Sequence, residues 1–239
     1  MRHCFIAIAG NIGVGKSTLT ALLSRALHAT PFFEEVDANP YLADFYRDMP
    51  TWSFHSQIFF LSQRLRRHHE LMQRDGTVIQ DRTVYEDAEV FARNLRDQDM
   101  MSARDYGVYR RLYEVMRDLL PPPTLVVYLQ ASVETLLYRI AQRGRHYEHE
   151  IGAEYLAQLN ALYEEWVAGL TLCPVLVVPT DEIDFVHRED DMHDVAQRVL
   201  ARIDEIAPPG DEAPEGTADV DTPTNAEPTD DRGPDRIGS

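Results

Sequence analysis

The sequence predicts an α/β fold, a five-stranded parallel sheet flanked by helices, and three observations carry that prediction. A short apolar run, Cys4–Ala9, passes through a glycine-rich loop into Thr18–His28, where Leu19, Leu22, Leu23, Ala26 and Leu27 recur at helical spacing. Five segments of strand character, His3–Ala9, Phe32–Val36, Thr77–Asp81, Thr124–Gln130 and Val175–Pro179, are separated by helical stretches. The chain has 239 residues, 44% of them hydrophobic, enough for one large core. Strands that alternate with helices form parallel sheets covered on both faces, and such sheets hold ligands at the C-terminal ends of their strands.

The first strand leads into Gly10-Asn11-Ile12-Gly13-Val14-Gly15-Lys16-Ser17, followed by Thr18. This octet matches the G-x-x-x-x-G-K-[ST] phosphate loop, and it stands between strand and helix as that loop requires. Its glycines let backbone N–H groups converge on phosphates, and the helix N-terminus adds partial positive charge. Lys16 is the one lysine in a chain with 23 basic side chains. A compact ammonium fits a backbone nest beside phosphate oxygens where a planar guanidinium does not. Lys16 is expected to bridge the outer phosphates of a bound nucleotide, and Ser17 to ligate Mg²⁺. The alternative is a glycine-rich turn without a ligand.

The second strand ends in Phe33-Glu34-Glu35-Val36-Asp37, which puts acids on the ligand rim where one could take a proton from a substrate hydroxyl. Edge-of-sheet surface acids are the alternative. The helix Ser53–Arg74 carries Phe54, Ile58, Leu61 and Leu65 as its expected core stripe, while Gln57 and Arg64, seven residues apart, share another face that points at one target or else is a solvated polar face. The third strand closes on Asp81-Arg82-Thr83, an acid for the Mg²⁺ shell and a fixed cation near a transferring group, or else a buried strand-end ion pair. Ser102-Ala103-Arg104-Asp105 begins a helix that Pro121-Pro122-Pro123 stops after Leu120.

After the fourth strand, Arg139 and Arg143 lie one helical turn apart, and Gly144 lets the chain bend so that Arg145 folds over the same phosphates. This reads as an arginine-rich lid. Cations that complement a helix C-terminus would explain the first two arginines equally well. Thr180-Asp181-Glu182-Ile183-Asp184-Phe185 follows the fifth strand on the same rim.

Residues 1–206 form the predicted catalytic domain. Residues 207–239 hold six prolines, nine Asp or Glu, two Arg and no aromatic residue, the composition of a disordered acidic tail. That segment supplies −7 of a net charge of −17. Such acidity argues against nucleic acid as a partner. Cys4 and Cys173 read as free thiols inside strands, and the pairs His68/His69 and His146/His149 lack the company of a zinc site. No signal-peptide pattern or membrane-length apolar run is present, so the expected location is cytoplasmic, with no membrane partner.

Together these motifs resemble the deoxyribonucleoside kinases, particularly the bacterial deoxyadenosine/deoxyguanosine kinase branch, from about His3 to Ile206. The resemblance implies a P-loop kinase fold, ATP and Mg²⁺ as cofactors, and transfer of phosphate to the 5′-hydroxyl of a deoxynucleoside. Glu34-Glu35-Val36 is similar to the family's E-P-V segment, which makes Glu34 the implied base. Asp81-Arg82-Thr83 is similar to its E/D-R-S motif, which implies that Arg82 holds base and hydroxyl in register and that Asp81 sits near the metal. By the same likeness Tyr46 and Glu148 clamp the 3′-hydroxyl, Gln57 reads the base, Arg64 and Asp87 flank its polar edge, and Phe91 stacks on it. The pair Asp184-Phe185 is similar to the loop that cradles the adenine of ATP.

The polar set Gln57, Arg64 and Asp87 implies a purine or deoxycytidine acceptor and disfavours thymidine; Ser56 leaves room suited to a purine. Deoxyadenosine, deoxyguanosine or both are expected, with deoxycytidine as the rival. Outside the family, a nucleotide-regulated switch would need an N-K-x-D segment, and the chain has no second lysine to build one. The family also implies a homodimer, through Ser53–Arg74 or Ser102–Leu120.

Overall fold

The computed structural model describes residues 4–145, 148, 151–185 and 188–206. The acidic segment 207–239 and the pair His146/His149 lie outside the described residues. Five strands form one sheet in the order β2-β3-β1-β4-β5: β1 (Cys4–Gly10), β2 (Thr30–Phe32), β3 (Thr77–Asp81), β4 (Leu125–Gln130) and β5 (Val175–Pro179). Every pairing is parallel.

Alternation along β1 explains why it sits in the middle. Phe5, Ala7 and Ala9 enter one hydrophobic cluster, and Ile6 and Ile8 enter the other, on the opposite face of the sheet. The first cluster is closed by α3 (Met49–Met72), α6 (Ala103–Leu119) and α8 (Ala153–Gly169), the second by α1 (Lys16–Ala26), α7 (Val133–Arg143) and α9 (Glu189–Ile206). Because β3 and β4 flank β1 on its two sides, the chain changes direction there and opens a crevice above the C-terminal end of β1.

Three expectations change. The second strand is Thr30–Phe32 rather than Phe32–Val36: it pairs with β3 only through Thr30↔Val78, Pro31↔Ile79 and Phe32↔Gln80. Pro31 cannot donate to a ladder and is tolerated because β2 is an edge strand. Beyond Phe32 the chain leaves the sheet, so Glu34 stands just past the strand end. The second change concerns α3, where Leu65 is 41% exposed and the buried residues include Ser53, Gln57, Leu61, Arg64 and His68. Leu61 is buried and Phe54 and Ile58 pack against the core as expected, so α3 buries an apolar stripe and a polar one side by side, and Leu65 alone falls outside. Thirdly, Cys173 precedes β5 instead of lying within it; both cysteines are free and half-buried.

Two features match closely. The α6 helix starts with the Ser102 hydroxyl accepting from the Asp105 N–H, and α7 ends at Gly144. Between β3 and α6 lies a helical run made of α4 (Val84–Glu86), a π-helical turn (Asp87–Ala92) and α5 (Arg93–Asp97). Among the described residues no helix is long and apolar enough to cross a membrane.

Candidate active site

The glycine-rich loop begins where β1 stops. At Gly10 (φ 143°) a Cβ would stand 2.6 Å from the Leu129 carbonyl oxygen, and at Gly13 (φ 82°) it would stand 2.7 Å from the Ile140 side chain. Neither position accepts a side chain, which is why the loop can pack against β4 and α7. The α1 helix starts at Lys16, so the first-turn N–H groups of this helix face the loop's mouth.

Lys16 is 7% exposed, and its Nζ donates to the Gly10 and Asn11 carbonyls at 2.9 Å each. Burial, reinforced by the nearby Arg82, lowers the ammonium pKa to about 8 against the opposing pull of Asp81, Glu34 and Glu86. Next to it the Ser17 hydroxyl donates to Asp81 Oδ2 at 2.5 Å, while Asp81 Oδ1 is buried without a hydrogen-bond partner. A hydroxyl and a carboxylate side by side form an all-oxygen donor set that fits Mg²⁺. Among the described residues no group of three or more His, Cys, Asp or Glu gathers around a point. A cation there would take its remaining ligands from water and phosphate, as Mg²⁺ commonly does.

Across the cleft, Glu34 meets two arginines from different elements. Arg64 of α3 donates Nη2 to Glu34 Oε1 at 2.5 Å and Nε to Asp87 Oδ2 at 3.0 Å, while Arg82 Nε lies 3.6 Å from Glu34 Oε2. Burial alone would raise the Glu34 pKa; Arg82, Arg64 and Lys16 outweigh it and bring the carboxyl down to about 2. Its neighbour Glu35 turns outward to pair with Arg67. The two consecutive acids are thus separated into an inner and an outer one, which resolves the ambiguity of the Glu34-Glu35 pair.

Arg82 takes a left-handed backbone (φ 61°), a conformation costing a non-glycine residue about 1–2 kcal/mol. Such strain collects at functional sites. Its guanidinium carbon lies 4.2 Å from the centre of the Phe91 ring. Phe91 and Asp87 both sit on the π-helical turn, which re-aims side chains that a regular helix would point elsewhere. Burial raises the Asp87 pKa, opposed by Arg64 and Arg82.

A single cleft of about 1170 Å³ is lined by Gly13–Thr18, Glu34, Tyr46, Gln57, Arg82, Phe91 and Glu148, and by Arg139, Arg143, Arg145, Asp184 and Phe185. Pockets for one small ligand run to roughly 300–1,000 Å³, and this cleft exceeds that range, which leaves room for two. Gln57 Oε1 is buried without a hydrogen-bond partner and belongs to the cleft wall. Arg64 and Asp87, 4% and 3% exposed, lie one layer behind that wall, as do Gly10, Asn11 and Asp81.

The three arginines do not act alike. Arg139 donates to the Val14 carbonyl (3.0 Å) and to Thr180 (3.0 Å at Oγ1, 2.6 Å at the carbonyl), tying the phosphate loop to the segment after β5. Arg143 makes a two-pronged contact with Glu148 at 3.0 and 2.5 Å, and Arg145 approaches the same carboxylate at 3.7 Å. Phe185 is 8% exposed beside Gly15.

Sequence reasoning missed several residues that this geometry makes prominent. Glu86 is fully buried and bonds across the chain to Gly10 and Tyr163. Asn11 donates to the Leu156 carbonyl and to Asn160 Oδ1 at 2.9 and 2.8 Å, and Asn160 in turn donates to the Ala131 carbonyl, anchoring the loop on α8. Asn11 was visible inside the octet; its partner 149 residues away was not.

The deoxynucleoside kinase family model matches residues 6–204. A deoxyadenosine/deoxycytidine kinase of Bacillus subtilis is 38% identical over 204 residues, 84% of this chain and 94% of that protein. A deoxyguanosine kinase of the same organism is 35% identical over 203 residues, covering 82% and 95%. Among solved structures, deoxyadenosine kinase from M. mycoides with bound dATP superposes with a TM-score of 0.73 at 32% identity, covering 83% of this chain and all of that one. The same enzyme with bound dCTP gives 0.72, also at 32% identity, with 82% and 99% covered.

Proposed function

The chain belongs to the deoxynucleoside kinase family, and from that premise we propose that it phosphorylates the 5′-hydroxyl of a purine deoxynucleoside, deoxyadenosine or deoxyguanosine, with ATP and Mg²⁺. The observation that carries this reading is that Glu34 and Lys16 line one cleft large enough for both substrates. Lys16 and the loop N–H groups hold the donor phosphates. Ser17 and Asp81 would hold Mg²⁺, which would supply charge neutralisation on the transferring group. Glu34 accepts the proton of the 5′-hydroxyl, and Arg82 keeps that hydroxyl in line with the phosphate.

The cations around Glu34 keep it ionised, so it can accept a hydrogen bond from the 5′-hydroxyl and take its proton late in the step. This suits a loose transition state in which the attacking oxygen gains little charge. Tyr46 and Glu148 hold the 3′-hydroxyl, Phe91 stacks on the base, and the unpaired Gln57 amide oxygen supplies an acceptor for its edge. Arg64 and Asp87 set that edge from behind. Asp184 and Phe185 bound the donor adenine, and Arg143 and Arg145 exchange part of their hold on Glu148 for phosphate oxygens when ATP enters.

We assign catalysis to residues 1–206, in the cytoplasm, with residues 207–239 taking no part and with small molecules rather than nucleic acid as partners. Val108, Leu112, Val115 and Leu119 are 42–76% exposed and form one stripe along α6; we assign that stripe to a homodimer contact. Steady-state kinetics with the four natural deoxynucleosides tests the acceptor. The expected result is the highest kcat/KM for a purine, unchanged in a chain truncated after Ile206. A preference for thymidine would overturn the pocket assignment, and one for deoxycytidine would overturn the choice of a purine.

A further inference from the structure

Glu86 is 0% exposed, and both of its carboxylate oxygens are occupied by donors from three separate parts of the chain. Oε1 accepts from the Gly10 N–H at 3.2 Å and from the Tyr163 hydroxyl at 2.9 Å. Oε2 accepts from the Thr83 N–H at 2.9 Å, closing a capping box at the start of α4. Burial raises the Glu86 pKa, opposed by Arg82 and Lys16 and by the hydrogen bonds from Thr83 and Tyr163.

The contacts close a ring around Arg82. Thr83 follows Arg82 directly, so the hydrogen bond from Thr83 N–H fixes the peptide that leaves the left-handed residue. Tyr163 stacks on Tyr128 with ring centres 5.7 Å apart and meets the Phe91 ring edge-on at 6.2 Å. Phe91 in turn carries the Arg82 guanidinium on its face. Backbone and side chain of Arg82 are therefore both held through the Glu86–Tyr163 pair, and the same carboxylate pins the first glycine of the phosphate loop.

We propose that Glu86, with Tyr163, is a positioning residue of the kinase: it sets Arg82 and the entrance of the phosphate loop at a fixed separation, so that acceptor hydroxyl and donor phosphate meet in line. The proposal rests on the deoxynucleoside kinase reading above. Misplacement of catalytic groups by about 1 Å can cost on the order of 100-fold in rate, which is the kind of loss such a residue prevents.

The test is a kinetic cycle with Tyr163→Phe, Glu86→Gln and Arg82→Lys, alone and with Tyr163→Phe combined with Arg82→Lys, alongside each variant's Tm. Tyr163→Phe keeps the ring stack and removes one donor; it should lower kcat by about 10-fold with both KM values within about 2-fold. Glu86→Gln should lower kcat further. Because Tyr163 acts through Arg82, the double variant should be no slower than Arg82→Lys alone. Wild-type kcat in Tyr163→Phe, or losses that multiply in the double variant, would overturn the proposal. Where Glu86→Gln does not fold, the Tyr163 cycle decides by itself. A wild type inactive on every deoxynucleoside overturns the functional reading together with this inference, whereas an active wild type with unaffected variants overturns this inference alone.

Discussion

Lys16 donates to two loop carbonyls from a nearly closed niche, and those two contacts define what its ammonium can do. Phosphate oxygens can replace the carbonyls without moving the side chain far. A guanidinium has no room to make the same exchange, so Lys16→Arg should lose activity by at least the amount expected for an oxyanion donor, about 10²–10³-fold in kcat. Full activity in that variant would refute the shape argument. Glu34 supports a second prediction. The groups facing it are Arg64, Arg82 and Lys16, all cationic, with Asp87 behind Arg64. Its carboxyl is ionised throughout the neutral and mildly acidic range, so the wild-type pH–rate profile should lack an acid limb from this group. Replacing Arg64 by leucine removes one cation while burial remains. The Glu34 pKa then rises by about 1–3 units, and activity falls as pH drops through the new value. A variant profile with no new acid limb would show that Arg64 does not hold Glu34.

At the scale of elements, α3 separates what sequence patterning can and cannot decide. Of its expected core stripe Phe54, Ile58 and Leu61 meet the core and Leu65 does not, while the helix also turns Gln57, Arg64 and His68 inward. Arg64 is held inside by ion pairs with Glu34 and Asp87, and breaking such a buried pair costs about 3–5 kcal/mol. Leu65 is left at the surface. On the neighbouring α6, Val115 and Leu119 are 59% and 76% exposed. Val115→Glu with Leu119→Glu should convert a dimer into a monomer, measured as a halved mass by light scattering. A wild type of monomeric mass would remove the assignment. The seven-residue spacing of Gln57 and Arg64 was legible because it is local. The end of β2 was not: Phe32-Phe33 and Val36 look like strand, and only pairing with β3 shows that the ladder stops at Phe32.

For the whole molecule, the parallel sheet and its ligand rim followed from alternation and one loop motif, since both are written in contiguous residues. What escaped were contacts spanning the fold. Glu86 reaches Gly10 over 76 residues and Tyr163 over 77, and Asn11 reaches Asn160 over 149. No spacing rule connects such positions, and in the sequence Glu86 is one acid among forty Asp and Glu. The fold's contribution to function is to bring β1, β2 and β3 ends together so that an ammonium, a carboxylate and a strained arginine share one cleft. The measurement that bears on this most directly is transfer from ATP to deoxyadenosine by wild type and by Glu34→Gln, with ATP affinity measured in parallel. The account predicts a 5′-monophosphate from the wild type and a kcat about 10²–10⁴-fold lower in the variant at nearly unchanged ATP affinity. A variant that turns over at the wild-type rate would contradict it.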